Sequence, residues 1–176
     1  MKLLKRFSYL LSIIFFIGPL IGCGIFDSYE KNKDGYYEKH FNCCGPIALE
    51  KAINRYYRNK GIVFARNPAP REEISKKIQD DGIALKEFLS FFNKQAICIT
   101  WPSEIKKIVE CYGFEIVTVN NIKKLDPKKH VAIVLSHGSL IKPDFHWWVF
   151  PTDLSSIKAR FGKDFKVDKI YLIQKK

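Results

Sequence analysis

The sequence predicts an α+β domain in which a helical N-terminal half packs on an antiparallel sheet. Two observations support this prediction. From Cys44 to about Gly113, apolar residues recur at three- and four-residue steps, which is typical of helices. After Gly113 the pattern changes to β-branched and aromatic runs bounded by turn residues, which is typical of strands. Helices first and strands afterwards indicate an α+β architecture.

Four helices are predicted in the N-terminal half. The first covers 44–58, where Pro46 suits the first turn and one face is apolar, made of Ile47, Ala48, Ala52, Ile53 and Tyr56. The Asn-Pro-Ala-Pro segment at 67–70 interrupts the pattern. Two shorter helices are predicted at 71–79 and 83–92, and a fourth begins at Ser103 and is ended by Gly113.

Four strands are predicted in the C-terminal half, at 114–119, 131–136, 146–150 and 167–173. A segment at 121–125 connects the first two strands, and a short helix at 153–161 connects the last two. We expect the chain to return antiparallel after 146–150. This pairing would place the end of the last strand beside the start of the third.

The first 22 residues are typical of a bacterial secretory signal, with a basic start at Lys2, Lys5 and Arg6 and an apolar run over 7–21. The run ends in Leu-Ile-Gly directly before Cys23, which resembles the lipobox of bacterial lipoproteins. The resemblance implies cleavage before Cys23 and acylation of its thiol. A transmembrane anchor is the alternative, but the run is shorter than the ~20 apolar residues that span a bilayer.

The predicted organisation is a signal peptide at 1–22, a lipidated tether at 23–40 and one domain at 41–176. Several acyl chains bind a bilayer more firmly than one does, so the mature protein should stay attached to a membrane. We expect the bacterial cell envelope, either the outer membrane or the outer face of the inner membrane. Gly24, in place of an aspartate after the cysteine, favours the outer membrane.

The chain is strongly basic, with 30 Lys and Arg against 18 Asp and Glu and a net charge of +12. Nucleic-acid binding is one explanation of such a charge. However, the lysines are scattered in pairs, and no run alternates basic and aromatic residues. We therefore expect solvated faces near an anionic lipid surface and no nucleic-acid partner.

The five cysteines have separate interpretations. Cys23 is assigned to the lipid. Cys98 and Cys111 stand in apolar surroundings and are expected to be buried thiols, although an exported location also permits a disulfide between them. Cys43 and Cys44 are adjacent, so at most one of them can stand at the helix start in attacking geometry.

Cys44 and His146 form the candidate catalytic pair. Cys44 stands where a loop becomes a helix, and the partial positive charge of a helix N-terminus favours thiolate over thiol. His146 opens an apolar strand far along the chain. A thiolate paired with an imidazole is a working nucleophile. A buried structural cysteine before a helix is the alternative.

Four segments, in order, resemble the papain-like cysteine peptidases that process double-glycine bacteriocin leaders. They are the Cys-Gly-Pro-Ile-Ala-Leu run at 44–49, the helix ending in Gly-Phe at 104–116, the apolar strand at 131–135, and His146-Trp147-Trp148-Val149. The resemblance covers most of 38–150. It implies a papain-like fold, Cys44 as nucleophile, His146 as general base, a peptide or protein substrate, and no cofactor or metal.

The chain departs from that family at two positions. Glu38 occupies the place of a glutamine whose amide completes the oxyanion hole, and Asn42 is a candidate substitute. The family also places an Asp or Asn on the strand after the histidine. With the expected antiparallel return, Gln174 is the predicted third catalytic residue and Asp153 the next candidate, while Asp164 and Asp168 would lie near the start of the return strand.

The remaining histidines and the tryptophans have simpler interpretations. His40, with Cys43 or Cys44, could supply a metal site, but so few ligands make this a weak prediction. His130 and His137 flank the strand at 131–136 and are expected on the surface. Trp147 and Trp148 should point to opposite faces of their strand, one inward and one outward.

The sequence therefore predicts a membrane-anchored thiol hydrolase, with a peptidase as the default activity. An acyltransferase or a deamidase would use the same pair of residues. A peptidase-like binding module without turnover is the principal alternative, because Glu38 and the uncertain third residue both favour it.

Overall fold

The computed structural model describes residues 31–90, 94–138, 145–162 and 165–176. Over these residues the chain has four α-helices and a four-stranded antiparallel sheet, which confirms the α+β prediction. The predicted signal peptide, Cys23 and Asp164 lie outside the described residues.

The helices are α1 (Cys44–Asn59), α2 (Arg71–Ser90), α3 (Pro102–Cys111) and α4 (Leu154–Phe161). Three short 3-10 helices cover Glu38–Asn42, Lys94–Cys98 and Ile122–Lys124. The prediction of two helices at 71–79 and 83–92 is wrong, because α2 continues through Gly82. A Cβ at Gly82 would lie 2.6 Å from Oε1 of Glu104, so the glycine allows the close approach of α3.

The sheet contains β1 (Phe114–Thr118), β2 (Ala132–His137), β3 (His146–Phe150) and β4 (Lys166–Lys175), in the order β1-β4-β2-β3. All neighbouring strands are antiparallel. Ser136 of β2 pairs with His146 on one side and with Val167 on the other. The β2–β4 register shifts between Leu135 and Ser136, which leaves Asp168 as the extra residue of β4.

The expected pairing of the third strand with the last strand is wrong. β4 lies between β1 and β2, and both β3 and β4 run antiparallel to β2. β3 and β4 are therefore parallel to each other. The start of β4, not its end, lies at the end of the sheet where His146 stands.

The sheet is covered on both faces. On one face, α1, α2 and α3 form the larger core with Ile133, Trp147 and Val149. On the other face, α4 packs on Val134, Trp148 and Phe150. Trp147 and Trp148 thus point to opposite faces as predicted, but both are buried, at 4% and 1% exposed. The outward position expected for one of them is wrong, because α4 covers it.

The segment predicted to be a tether is packed from Lys31 onward. Lys31 and Tyr37 form an antiparallel bridge. The Tyr37 backbone N–H donates to Oε1 of Gln79 on α2 over 2.8 Å, and His40 is fully buried. Residues 31–40 therefore belong to the domain, since their polar groups and side chains are held by α2.

Candidate active site

Cys44 is the first residue of α1. The preceding residue, Cys43, has extended backbone angles (φ −76°, ψ 153°), and the first helical hydrogen bond runs from the Ile47 N–H to the Cys43 carbonyl over 3.2 Å. The amides of Cys44 and Gly45 precede that bond, and Pro46 has no N–H. These amides give the helix start the partial positive charge that favours a thiolate. Cys44 is half-buried and contacts the larger core.

Thr100 brings the start of α1 and the start of β3 together. Gly45 lies so close to the Thr100 side chain that a Cβ at position 45 would overlap it. The Trp147 Nε1–H donates to the Thr100 carbonyl over 2.8 Å. Gly45 follows Cys44 and Trp147 follows His146, so the elements that carry the predicted pair meet around one residue.

A disulfide joins Cys43 to Cys98, with their Cα atoms 5.4 Å apart. The suggested pairing of Cys98 with Cys111 is therefore wrong, and Cys111 is an exposed free thiol rather than a buried one. Cys111 ends α3 on a turn that points to solvent. The disulfide therefore joins the residue before Cys44 to Cys98, which lies two residues before Thr100.

His146 opens β3 and is half-buried. Because side chains alternate along a strand, His146 shares the face of Trp148 and Phe150. Its ring centroid lies 6.4 Å from that of Phe161 on α4. The backbone of His146 thus stands at the end of the sheet nearest Cys44, and its side chain lies beside α4.

His137 is the second histidine at this end of the sheet. It is only 8% exposed, so the prediction of a surface residue is wrong. Its Nδ1 atom lies 2.7 Å from Oδ2 of Asp168, and its ring centroid lies 5.4 Å from that of Phe145. By alternation His137 follows Ile133 and Leu135 onto the face that α1 covers.

The predicted third catalytic residue, Gln174, does not meet His146. It is exposed and pairs with Glu115 of β1, at the opposite end of the sheet. Asp153 also lies at that end, where its carboxylate binds Nζ of Lys51 over 3.0 Å and accepts from the Val149 N–H over 3.1 Å. Gln174 fails because β4 does not return beside β3. Asp153 fails because it follows Phe150, at the end of β3 opposite His146.

The two residues considered for the oxyanion hole lie in the 3-10 helix before α1. Glu38 is exposed. Asn42 is also exposed, and its Oδ1 atom accepts from Nη1 of Arg71 over 3.3 Å. The amides of Cys44 and Gly45 are therefore the best-placed donors for an oxyanion beside the Cys44 sulfur.

A separate polar cluster is buried between the first 3-10 helix, α2 and α3. The His40 Nδ1 atom lies 2.6 Å from Oγ of Ser75, which also accepts from Gln79, and Nζ of Lys86 lies 2.7 Å from Oε1 of Glu104. Burial lowers the pKa of His40 to about 3, and the Lys86 ammonium adds to this shift. His40, Ser75 and Lys86 are fully buried, so substrate has no access to this cluster.

Cys43 is bonded to Cys98 and is therefore not available as a metal ligand, and the Nδ1 atom of His40 is engaged by Ser75. Across the described ranges, no group of three or more His, Cys, Asp or Glu side chains is arranged to hold a metal ion. No helix within those same ranges is long and apolar enough to cross a membrane.

The chain matches no protein-family model, no curated protein and no solved structure.

Proposed function

We propose that the chain is a lipid-anchored thiol hydrolase with a papain-like fold, acting on peptides or proteins of the bacterial envelope. Cys44 is the nucleophile. The base is an imidazole at the end of the sheet nearest α1, and the resemblance assigns this role to His146. The observation that carries the proposal is the position of Cys44 at the start of α1. The next residue, Gly45, contacts Thr100, which also accepts the indole N–H of Trp147, the neighbour of His146.

The proposed reaction has two steps. In the first, the imidazole takes the Cys44 proton, the sulfur attacks the carbonyl carbon, and the oxyanion is held by the amides of Cys44 and Gly45. The C–N bond then breaks, and the imidazolium gives its proton to the leaving amine. In the second step, the imidazole deprotonates a water molecule, which attacks the thioester carbon. The C–S bond then breaks, and the imidazolium returns its proton to the sulfur, which leaves the acid and the free thiol.

The experiment uses Cys111 as an internal reference, because this exposed thiol sits on the same chain. The full lipidated protein in detergent is treated with iodoacetamide at several pH values, and alkylation of each cysteine is followed by mass spectrometry. At pH 6, Cys44 should react at least ten times faster than Cys111, since the helix N-terminus and the imidazole favour the Cys44 thiolate, which is the form that iodoacetamide alkylates. A Cys44 rate that never exceeds the Cys111 rate would contradict the proposal.

Turnover is tested separately on a peptide library, with Cys44→Ala as the matched control. A peptide-binding module is the second candidate, and Glu38 favours it because a carboxylate at the family's glutamine position repels an oxyanion. Rapid alkylation of Cys44 with no cleavage of any peptide would support the binding module over the hydrolase.

The lipid anchor has its own test. The mature protein is expected to begin at Cys23 and to carry a diacylglyceryl group on that thiol, which mass spectrometry of the N-terminal peptide detects. An intact 1–22 segment on the membrane-bound protein would instead show a transmembrane anchor.

A further inference from the structure

We propose that the loop after α1 binds the surface of an anionic lipid bilayer. Three consecutive apolar residues of this loop, Ile62, Val63 and Phe64, are 46%, 92% and 45% exposed, and we call them the apolar loop. The inference goes beyond the proposed function, because it gives the anchored domain a second contact with the membrane that does not involve Cys44.

The first argument is the exposure of the apolar loop. Single exposed apolar residues are ordinary on a protein surface, whereas an exposed run of three is typical of a binding surface. The end of α1 holds this run in place. The Ile62 N–H donates to the Tyr57 carbonyl over 3.0 Å, and the Phe64 and Tyr57 rings pack edge to face with centroids 4.8 Å apart. The exposed parts of the three side chains therefore stay in water unless something outside the domain covers them.

The second argument is the charge beside the apolar loop. Arg58 and Lys60 precede it, Arg66 follows it, and all three residues are exposed. Arg58 and Arg66 line one cleft of about 240 Å³ together with Ile62 and Phe64. Among the described residues, none of the three cations forms an ion pair with a carboxylate. Unpaired cations around an apolar tip attract a layer of anionic lipid headgroups.

Lys175, the last residue of β4, adds to this charge. Its Nζ atom lies 3.2 Å from the hydroxyl of Tyr57, the residue that supports the apolar loop. Glu50 approaches the segment that follows the loop, but Arg71 pairs with it over 2.8 Å. Glu115 alternates onto the face of the sheet that α1 does not cover. The side chains next to the apolar loop are therefore mainly basic.

The basic side chains favour a bilayer over a second copy of the chain. A symmetric contact between two copies would bring these cations against each other, and like charges repel. An anionic bilayer neutralises them while the apolar tip enters the boundary between headgroups and acyl chains. The N-terminal anchor of the proposed function keeps the domain beside the bilayer, so a small contact of this kind is sufficient.

Contact at the apolar loop would also orient the domain. α1 has 16 residues, which corresponds to a length of about 24 Å. Cys44 begins this helix and the apolar loop follows its end. The candidate active site would therefore stand clear of the bilayer contact, on the side from which substrate in the aqueous phase arrives.

The experiment follows hydrogen exchange by mass spectrometry on the full lipidated protein. The protein is reconstituted into vesicles of phosphatidylcholine alone, or of phosphatidylcholine mixed with anionic phosphatidylglycerol. We expect the peptide that contains the apolar loop to exchange at least about fivefold more slowly on the mixed vesicles, because cations near an anionic surface hold the loop there.

Variants separate the apolar tip from the charge. Val63→Asp, and Lys60→Gln combined with Arg66→Gln, should each remove the slowing on the mixed vesicles. Leu85→Asp is the matched control for the first change, because Leu85 is an exposed apolar residue on α2. Lys128→Gln with Lys129→Gln is the control for the lost charges. Both controls should keep the slowing, and thermal melting checks that each variant is folded.

Equal exchange on the two kinds of vesicle would overturn the inference. This comparison uses the wild-type protein, so it decides the question even where a variant fails to fold. Slowing that persists in Val63→Asp, or that both controls also lose, would overturn it as well. Slowing in detergent that grows with protein concentration would place a second copy on the loop instead of a bilayer. None of these results involves Cys44, so the proposed hydrolase is tested separately by its alkylation.

Discussion

Cys43 and Cys98 are joined by a disulfide that ties the residue before α1 to the segment carrying Thr100. Thr100 in turn contacts Gly45 and accepts the Trp147 indole N–H. The disulfide therefore restrains Thr100, the residue that contacts the starts of both α1 and β3. Its removal should affect both the stability of the domain and the setting of Cys44.

Replacing both cysteines, as Cys43→Ser with Cys98→Ser, should lower the free energy of unfolding. The bridged residues are 55 apart in sequence, and closing such a loop in the unfolded chain is worth about 4 kcal/mol. Urea unfolding measures the change, with Cys111→Ser as a control expected to have little effect. An unchanged stability in the double variant would mean that the disulfide does not constrain the fold.

Gly45→Ala should destabilise the protein, because the new Cβ overlaps the Thr100 side chain. Overpacking of this kind costs about 1–3 kcal/mol. The effect should shrink when the same change is made in a Thr100→Gly background, which removes the overlapping atoms, and a double-mutant cycle measures the coupling. Equal costs in both backgrounds would show that the contact is not the cause.

The pattern along the chain could identify the helices and strands, but not the partner of each strand. The β-branched and aromatic run shows that 167–173 is a strand, whereas its insertion between β1 and β2 depends on contacts between distant residues. This difference in the pairing of β4 changes which of its residues lie at the His146 end of the sheet. It moves Gln174 to the far end and brings Asp168 to the near end.

The cysteines and histidines show the same limit. Because Cys43 and Cys44 are adjacent, only one of them can be the nucleophile. Their spacing alone does not reveal which cysteine forms a disulfide with the other, and in the structure Cys43 pairs with Cys98. His137 follows an apolar strand and so resembles a surface residue at its end. A signal for its burial exists, because His137 continues the alternation of Ile133 and Leu135 on the core face.

The stability of the domain should fall as the pH drops below about 6.5, because His40 is buried in its neutral form. Its pKa is about 3 in the folded state, while an unfolded histidine titrates near 6.5. The unfolded state therefore binds more protons between these values, and His40 removes up to about 1.4 kcal/mol per pH unit on acidification. Above pH 6.5 its contribution is constant.

Urea unfolding at pH 7, 6, 5 and 4 measures this slope. His40→Asn should flatten it, since an amide can bind Ser75 without titrating. His130→Gln is the matched control, because the Nδ1 atom of His130 accepts only a local bond from the Asp126 N–H. An equal slope in wild type and His40→Asn would rule out His40 as the source.

Glu104→Gln should destabilise the protein strongly, since it leaves the buried Lys86 ammonium without its partner. The two side chains are 0% and 8% exposed, and their charged atoms lie 2.7 Å apart. Burial lowers the pKa of Lys86, and Glu104 opposes that shift. The Oε2 atom of Glu104 accepts a hydrogen bond from the backbone N–H of Trp101. Glutamine keeps an oxygen that can accept this bond, so the variant tests mainly the loss of the charge. Breaking such a pair costs about 3–5 kcal/mol.

Adding Lys86→Met to Glu104→Gln should restore most of that loss, because no unpaired charge is then buried. The exposed pair of Lys107 and Asp81 offers the matched comparison, and Asp81→Asn should change the unfolding free energy little. A Glu104→Gln variant as stable as Asp81→Asn would mean that Lys86 loses its proton on burial. If the double variant is no more stable than Glu104→Gln, the lost stability comes from altered packing and not from the unpaired charge.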